Sequence, residues 1–364
     1  MHARTRARGR PWTKPSNRFI TGFLSAGSGG TLQAYHYTAP VLPLGLSKYP
    51  VIAGPTAGGK TALAVEVALS VNAKAGRDAA EIISADSMLI YRGLNIGAAK
   101  PTPEERRGVP HHLIDVVEPT DRFTVHDWLT AANRTIAEIT ARGNLPIVVG
   151  GTHLYIKALL EGLFEGPGED AALRDRLRAL PHDELRRRLE QVDPVAAARL
   201  HPNDLRRTIR ALEVHELTGK TISELQTQWD QMRSEEPPRN GGVPRSVLVG
   251  IDWSSEMLNP RINTRVRKML DDGLLEEARD LWTSGRLGPQ AREGLGYKQL
   301  IEHFEGRCSL EDAIEEIKIE TRRFAKNQRT WLRRLRVSPG SVWIDAAAMP
   351  VETWPDLVLN ACTA

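Results

Sequence analysis

A chain of 364 residues with 41% hydrophobic and 26% charged side chains has the balance of a globular protein of about two domains, or one domain with a large insertion. Its two cysteines, Cys308 and Cys362, exclude a disulfide framework and have no metal-ligand spacing, and no apolar run reaches the roughly 18 residues that a membrane-spanning helix needs. The net charge of +4 belongs to the leader: residues 1–50 hold seven of the 49 Lys and Arg and none of the 45 Asp and Glu. The body is therefore slightly acidic, and any anionic partner must be met by a local patch.

Residues 1–48 are Arg-rich and contain Gly and Ser without acidic residues. They read as a disordered or organelle-targeting leader outside the fold. The expected location is the cytoplasm, or an organelle if the leader is a transit peptide. Tyr49 to Ala53 is a short apolar run closed by a Gly-Pro turn and predicts a buried strand. Thr61 to Asn72 predicts a helix, Glu81 to Ala85 a second strand, Asp127 to Arg142 a helix and Leu145 to Val149 another strand. This alternation over 49–165 predicts an α/β core with a parallel sheet and helices on both faces. From Asp170 to Gln231 strand-like runs vanish, and 166–235 reads as an inserted all-helical domain. Ser234 to Pro244 reads as a loop. Ser246 to Ile251 returns to strand character, so 245–345 rejoins the core, with helices at about Pro260 to Ser284 and Ser309 to Arg336. Ser309 and Asp312 have the spacing of a capping box. Residues 346–364 are expected as a C-terminal tail.

The segment Gly54-Pro55-Thr56-Ala57-Gly58-Gly59-Lys60-Thr61 fits G-x-x-x-x-G-K-[ST] between a predicted strand and a predicted helix. Its glycines let backbone N–H groups face phosphate oxygens, and the helix presents its N-terminus to the anion. Lys60 supplies a cation, and the Thr61 hydroxyl is placed to hold Mg²⁺. The motif indicates a P-loop of the nucleotide-binding kind for a polyphosphate or diphosphate. It does not specify ATP.

Asp86 follows the second strand at its carboxyl end, where open α/β sheets bind ligands. A turn or helix-capping role is the alternative there. Asp86 to Pro101, reading DSMLIYRGLNIGAAKP, resembles the segment that follows the P-loop in tRNA dimethylallyltransferases. Pro110 to Asp115, Pro146 to Tyr155, His201 to Asp204 with Arg210 to Val214, Gly296 to Gln299, and Ala325 to Leu332 resemble further blocks of that family, in order. Three positions depart from its pattern: Ala98 replaces a usual threonine, Asn327 a basic residue and Gly58 a usual serine.

The resemblance implies a P-loop NTPase-like core. It also implies transfer of a dimethylallyl group from dimethylallyl diphosphate to N6 of adenosine 37 in tRNAs that read codons beginning with U, with Mg²⁺ as cofactor. Asp86 is then the general base that takes a proton from the adenine amine. Gly54 to Thr61 hold the diphosphate, and its leaving charge is met by N–H dipoles and fixed cations. Arg261 and Arg265 share one face of a predicted helix, and Arg261 is favoured as the residue that reaches the diphosphate. Contacts to tRNA are expected from Asp86, Ser87, Met88, Leu89 and Thr152, from Arg206, Arg207 and Arg210 in the insertion, and from Lys326, Gln328, Arg329, Trp331 and Arg333. The last group lies in residues 318–336, which carry eight Lys or Arg against Glu320. A solvated basic helix is the alternative for this run, and a turn hydroxyl the alternative for Thr152. His111, His112 and His153 are expected to be structural or weak contacts. By family analogy the protein is a monomer.

Three other readings compete. A small-molecule kinase would use the same loop but generally needs a second carboxylate after an apolar strand; here that strand ends in Gly150-Gly151-Thr152. An adenylate isopentenyltransferase shares the donor, but the insertion and the basic helix favour tRNA. A noncatalytic nucleotide-binding module would have no need of Lys60, Thr61 and Asp86 together.

Overall fold

The computed structural model describes residues 41–163, 166–227 and 244–363. The expected leader therefore lies outside the described residues as far as residue 40, and the expected loop of 234–244 as far as residue 243. Two units divide the chain: Met1–Ile156 with Gly241–Ala364, and Lys157–Asn240.

The first unit is built on a six-stranded sheet of β1 (Lys48–Ala53), β2 (Ala80–Ala85), β3 (His111–His112), β4 (Leu145–Gly150), β5 (Arg245–Asp252) and β6 (Val342–Asp345), in the order β3-β2-β4-β1-β5-β6. Every pairing is parallel. Strands β2 and β4 are buried at every position, which is why β4 reads as a continuous apolar run rather than an alternating one; β2 also buries Glu81 and Ser84. Helix α1 (Lys60–Ala75) crosses from β1 to β2, and α2 (Pro103–Arg106) precedes β3. Helix α3 (Val125–Ala141) lies between β3 and β4 in sequence and packs on β2 and β4. The β1-to-β2 and β2-to-β4 crossovers run in opposite directions along the sheet. Right-handed connections then place α1 and α3 on opposite faces, as expected. Thr124 and Asp127 close a complete capping box on α3, so this helix starts two residues before the expected one.

Helix α4 (His153–Glu161) leaves β4 and carries the unit boundary. The second unit holds α5 (Ala171–Arg178), α6 (His182–Val192), α7 (Pro194–Arg199) and α8 (Leu205–Thr218). Leu173, Leu177, Leu185, Leu189, Ile209 and Leu212 form its core. Within it, fully buried Glu213 accepts hydrogen bonds from Arg174 (2.8 Å), Arg210 (2.6 Å) and the Asp170 N–H (2.9 Å). Burial alone would raise its pKa; these donors outweigh that and hold it low.

Four expectations are corrected in the first unit. The single helix expected at Pro260 to Ser284 is two, α9 (Ser255–Asp271) and α10 (Leu274–Thr283), broken at Gly273, whose φ of 102° only glycine adopts readily. Helix α11 (Tyr297–Phe304) then precedes the long α12 (Leu310–Arg334). Ser309 caps α12 by accepting from the Asp312 N–H, but Asp312 returns to the Ser309 hydroxyl rather than to the backbone, so the box is incomplete. The supposed tail contains α13 (Trp354–Thr363), which packs on α1 and β1 and buries Trp354, Val358, Leu359 and Cys362. The fold also starts before residue 49: Leu42 and Leu46 are buried, and the Ser47 N–H donates to the Cys362 carbonyl at 3.0 Å.

Candidate active site

Register brings the carboxyl ends of three strands into one row, since Ala53 and Ala85 both pair with Gly150. The chain leaves that row as the P-loop, as Asp86 and as Gly151-Thr152. Glycine at 150 is required by proximity: a Cβ there would lie 2.1 Å from the Ala85 carbonyl oxygen.

The P-loop is held from three sides. Ala57 (φ 58°) and Gly59 (φ 81°) adopt left-handed conformations, with the Gly58 N–H closing a turn on the Pro55 carbonyl at 3.1 Å. A Cβ at Gly58 would stand 2.8 Å from that oxygen and 3.3 Å from Trp253 Nε1, so the departure to glycine relieves a tight turn. Trp253 Nε1 donates to the Gly58 carbonyl at 3.1 Å. Arg261 Nε donates to the Ala57 carbonyl at 3.0 Å, its guanidinium 4.7 Å from the Trp253 ring centroid. Inside, buried Gln328 accepts from the Thr56 N–H at 2.8 Å and donates to the Gly151 carbonyl at 2.9 Å.

A cavity opens beside this loop, lined by Thr56, Lys60, Thr61, Ile82, Ser84, Asp86, Leu89, Ala98, Ala99, Pro101, His111, Ile114, Val149, Gly150, Arg265, Phe324 and Gln328. The arginine in its wall is Arg265. This corrects the preference for Arg261, which is exposed and engaged with the outside of the loop. One helical turn separates the two, and the sequence does not say which turn faces the loop. Lys60 donates to the Pro55 carbonyl at 2.7 Å. Burial, then the nearby Arg265 charge, lowers its pKa to about 8 against the opposing pull of Asp86. Burial likewise lowers that of Arg265, opposed by Asp86 and Glu105.

Asp86 is half-buried, and its Oδ1 accepts from the Met88 N–H at 2.8 Å, an Asx turn that fixes the carboxylate. The next N–H, of Ser87, donates to Thr152 Oγ1 at 3.0 Å, while the Thr152 N–H donates to the Ala85 carbonyl at 3.2 Å. Thr152, half-buried, thus ties the ends of β2 and β4 together. Met88 is half-buried and Leu89 lines the cavity.

The wall containing Ala98, Ala99 and Pro101 is set by a carboxylate that the sequence does not single out. Glu277 on α10 accepts from the N–H groups of Asn95 (2.9 Å), Ile96 (2.9 Å) and Gly97 (3.0 Å), and from the Tyr297 hydroxyl (2.6 Å). Burial, then Glu277, holds the Tyr297 hydroxyl far above its ordinary pKa. Gly97 is needed because a Cβ would fall 2.5 Å from the Tyr297 ring. Ala98, one of the departures from the resembled pattern, lines the cavity with a methyl group.

On α12, Lys326, Asn327 and Arg333 are exposed. Arg329 reaches the Ser255 hydroxyl, and the Trp331 ring lies 5.2 Å from that of His153. Gln328, expected to touch tRNA, instead spends both ends of its amide on the P-loop and Gly151. In the helical unit Arg206 is exposed, and Arg207 is exposed with Asp204 at 3.1 Å. Arg210 is withdrawn from the expected tRNA set: its guanidinium is held by Glu213 and the Pro167 carbonyl (2.8 Å). His112 is structural, bonded to Glu81 at 2.7 Å; His111 lines the cavity.

A glycine-rich loop at the carboxyl edge of a parallel sheet, opposite an aspartate and beside two half-buried cations, defines an α/β enzyme that handles a diphosphate or polyphosphate. The chain belongs to the IPP transferase family, which matches residues 89–335. It is 45% identical to a tRNA dimethylallyltransferase of Geobacillus kaustophilus over 79% of this chain and 87% of the relative. It is 42% identical to one of Carboxydothermus hydrogenoformans over 86% and 96%. Among solved structures, the tRNA isopentenylpyrophosphate transferase of Bacillus halodurans aligns with a TM-score of 0.61 at 37% identity, covering 86% of this chain and 95% of the other. A eukaryotic dimethylallyltransferase described as acting on tRNA aligns with a TM-score of 0.67 at 29% identity, covering 85% and 75%.

Proposed function

We propose that this chain is a prenyl transferase that moves the dimethylallyl group of dimethylallyl diphosphate to N6 of the adenosine beside the anticodon of tRNAs reading codons that begin with U. The observation that carries the reading is the convergence of the P-loop, Arg265 and Asp86 on one cavity with an apolar wall. Lys60, Arg265 and the loop N–H groups neutralise the departing diphosphate. Asp86, fixed by its Asx turn, takes the N6 proton. Leu89, Val149 and Ile114 shield the allylic chain from water. The Thr61 hydroxyl opens α1 into the same cavity and, with diphosphate oxygens, makes a hard-oxygen set that suits Mg²⁺, which would supply further charge neutralisation on the leaving group.

The tRNA is met by the exposed cations Lys326 and Arg333 on α12, with Trp331 beside them, and by Arg206 and Arg207 in the helical unit. Arg329 serves this surface through α9, where it holds Ser255. The protein acts as a monomer. A kinase reading is disfavoured because β4 ends in Gly150-Gly151-Thr152 without a carboxylate. The test is Asp86→Asn in full-length protein: turnover falls by about 10²–10⁴ while the donor still binds. Near wild-type turnover removes Asp86 as the base.

A further inference from the structure

Strand β2 turns Ile82, Ser84 and Asp86 to one side, at steps of roughly 6.6 Å, and all three line the donor cavity. His111 pairs with Ile82 in register on β3, so it stands on the same side, diagonal to Ser84. Asp86 marks the carboxyl edge of the sheet, and Ser84 and His111 lie below it. Ser84 is 2% exposed, and neither its Oγ nor His111 Nε2 has a hydrogen-bond partner among the described residues, although both atoms are buried. Buried polar atoms left unmatched destabilise the fold, so a wall built only for hydrocarbon has no reason to keep them.

Their polarity is defined. His111 Nδ1 lies 2.8 Å from the Val109 carbonyl and must donate to it, which leaves Nε2 of the neutral ring as an acceptor. Burial keeps the ring neutral by lowering its pKa, with Arg106 and His112 acting in the same direction and the Val109 bond opposing. The Ser84 hydroxyl can donate, and Trp128 Nε1 fixes its backbone by donating to the Ser84 carbonyl at 2.9 Å. Their polarities are complementary to a single hydroxyl group, which would donate to His111 and accept from Ser84.

We propose that Ser84 and His111 form a polar subsite in the donor cavity that admits an allylic diphosphate carrying a hydroxyl on a terminal carbon, alongside the all-hydrocarbon donor. This rests on the prenyl-transfer reading. The chemistry is unchanged: the carbon–oxygen bond to diphosphate breaks with its electron pair leaving on diphosphate, the N6–carbon bond forms, and the N6 proton goes to Asp86. The hydroxyl stays on the transferred group.

The experiment measures kcat/KM for transfer to unmodified tRNA, and calorimetric affinity, for dimethylallyl diphosphate and for the same diphosphate hydroxylated on one terminal methyl carbon. Wild type, Ser84→Ala and His111→Phe are compared. The expected result is use of both donors by wild type and a fall of about tenfold or more in the hydroxylated-to-unhydroxylated ratio in each variant. Should His111→Phe not fold, Ser84→Ala, which only deletes one buried oxygen, decides. A wild type that neither binds nor transfers the hydroxylated donor, or a ratio unmoved in the variants, overturns the subsite. Failure of both donors to reach tRNA overturns the function reading instead, and the binding ratio still decides the subsite.

Discussion

Gln328 and Thr56 are 272 residues apart in sequence and joined by a 2.8 Å hydrogen bond, from the Thr56 N–H to the glutamine oxygen. The other end of the amide holds Gly151, so one side chain of α12 locks the P-loop to the end of β4. Gln328→Leu leaves the half-buried Thr56 N–H and the buried Gly151 carbonyl unmatched. It is expected to lower stability by about 1–3 kcal/mol and to weaken donor binding as the loop loosens. Thermal unfolding with a donor titration checks both. Unchanged donor affinity would mean that the loop holds its shape without the amide.

Arg265 and Arg261 separate by role. Arg265→Gln is expected to reduce kcat/KM by about 10²–10³, as for loss of a charge-stabilising donor at the reacting centre. Arg261→Gln keeps the cavity cations and removes only the outer hold on Ala57, so its loss is expected to be about tenfold. Steady-state kinetics with varied donor distinguish them, and the reverse order would restore Arg261 as the diphosphate ligand.

Lys60 predicts a pH dependence. Its pKa in the free protein is about 8, and a bound diphosphate raises it. Donor affinity is therefore full below that value and falls as pH rises through it, because binding must then take up a proton. Calorimetry in two buffers of different ionisation enthalpy reads the uptake. Arg265→Gln, by removing a neighbouring positive charge, moves the break to higher pH. Affinity that stays level through pH 8 would contradict this.

Glu213 is the ionic centre of the helical unit. Glu213→Ala leaves Arg174 with Glu169 and Arg210 with the Pro167 carbonyl but removes the buried carboxylate they share, and is expected to destabilise that unit by about 1–3 kcal/mol. Arg207→Ala, which breaks an exposed pair, is expected to cost under about 1 kcal/mol. Hydrogen exchange across residues 166–227 reads the two separately, and equal protection in both variants would refute the assignment.

Local chemistry made much of this legible in sequence. The P-loop glycines, Lys60, Thr61, the aspartate after β2 and the switch from strand texture to helical texture near Asp170 depend on short-range pattern; in the structure they fall between β1 and α1, at the end of β2 and at the start of α5. What stayed hidden depends on tertiary contact. Arg265 differs from Arg261 only by one turn, and Gln328 looks like a polar member of a basic helix until its burial is seen. Glu277 sits in an ordinary amphipathic helix, with nothing local to mark the three N–H groups it collects. Helix α13 is only ten residues long, and its buried positions Trp354, Val358, Leu359 and Cys362 take their meaning from contact with α1 and β1.

The most direct measurement is transfer of radiolabelled dimethylallyl diphosphate by the full chain, with Mg²⁺, to bulk unmodified tRNA, beside AMP as acceptor and ATP with candidate kinase substrates. The account predicts label in tRNA and none in AMP. Prenylated AMP or consumption of ATP, with unlabelled tRNA, would contradict it.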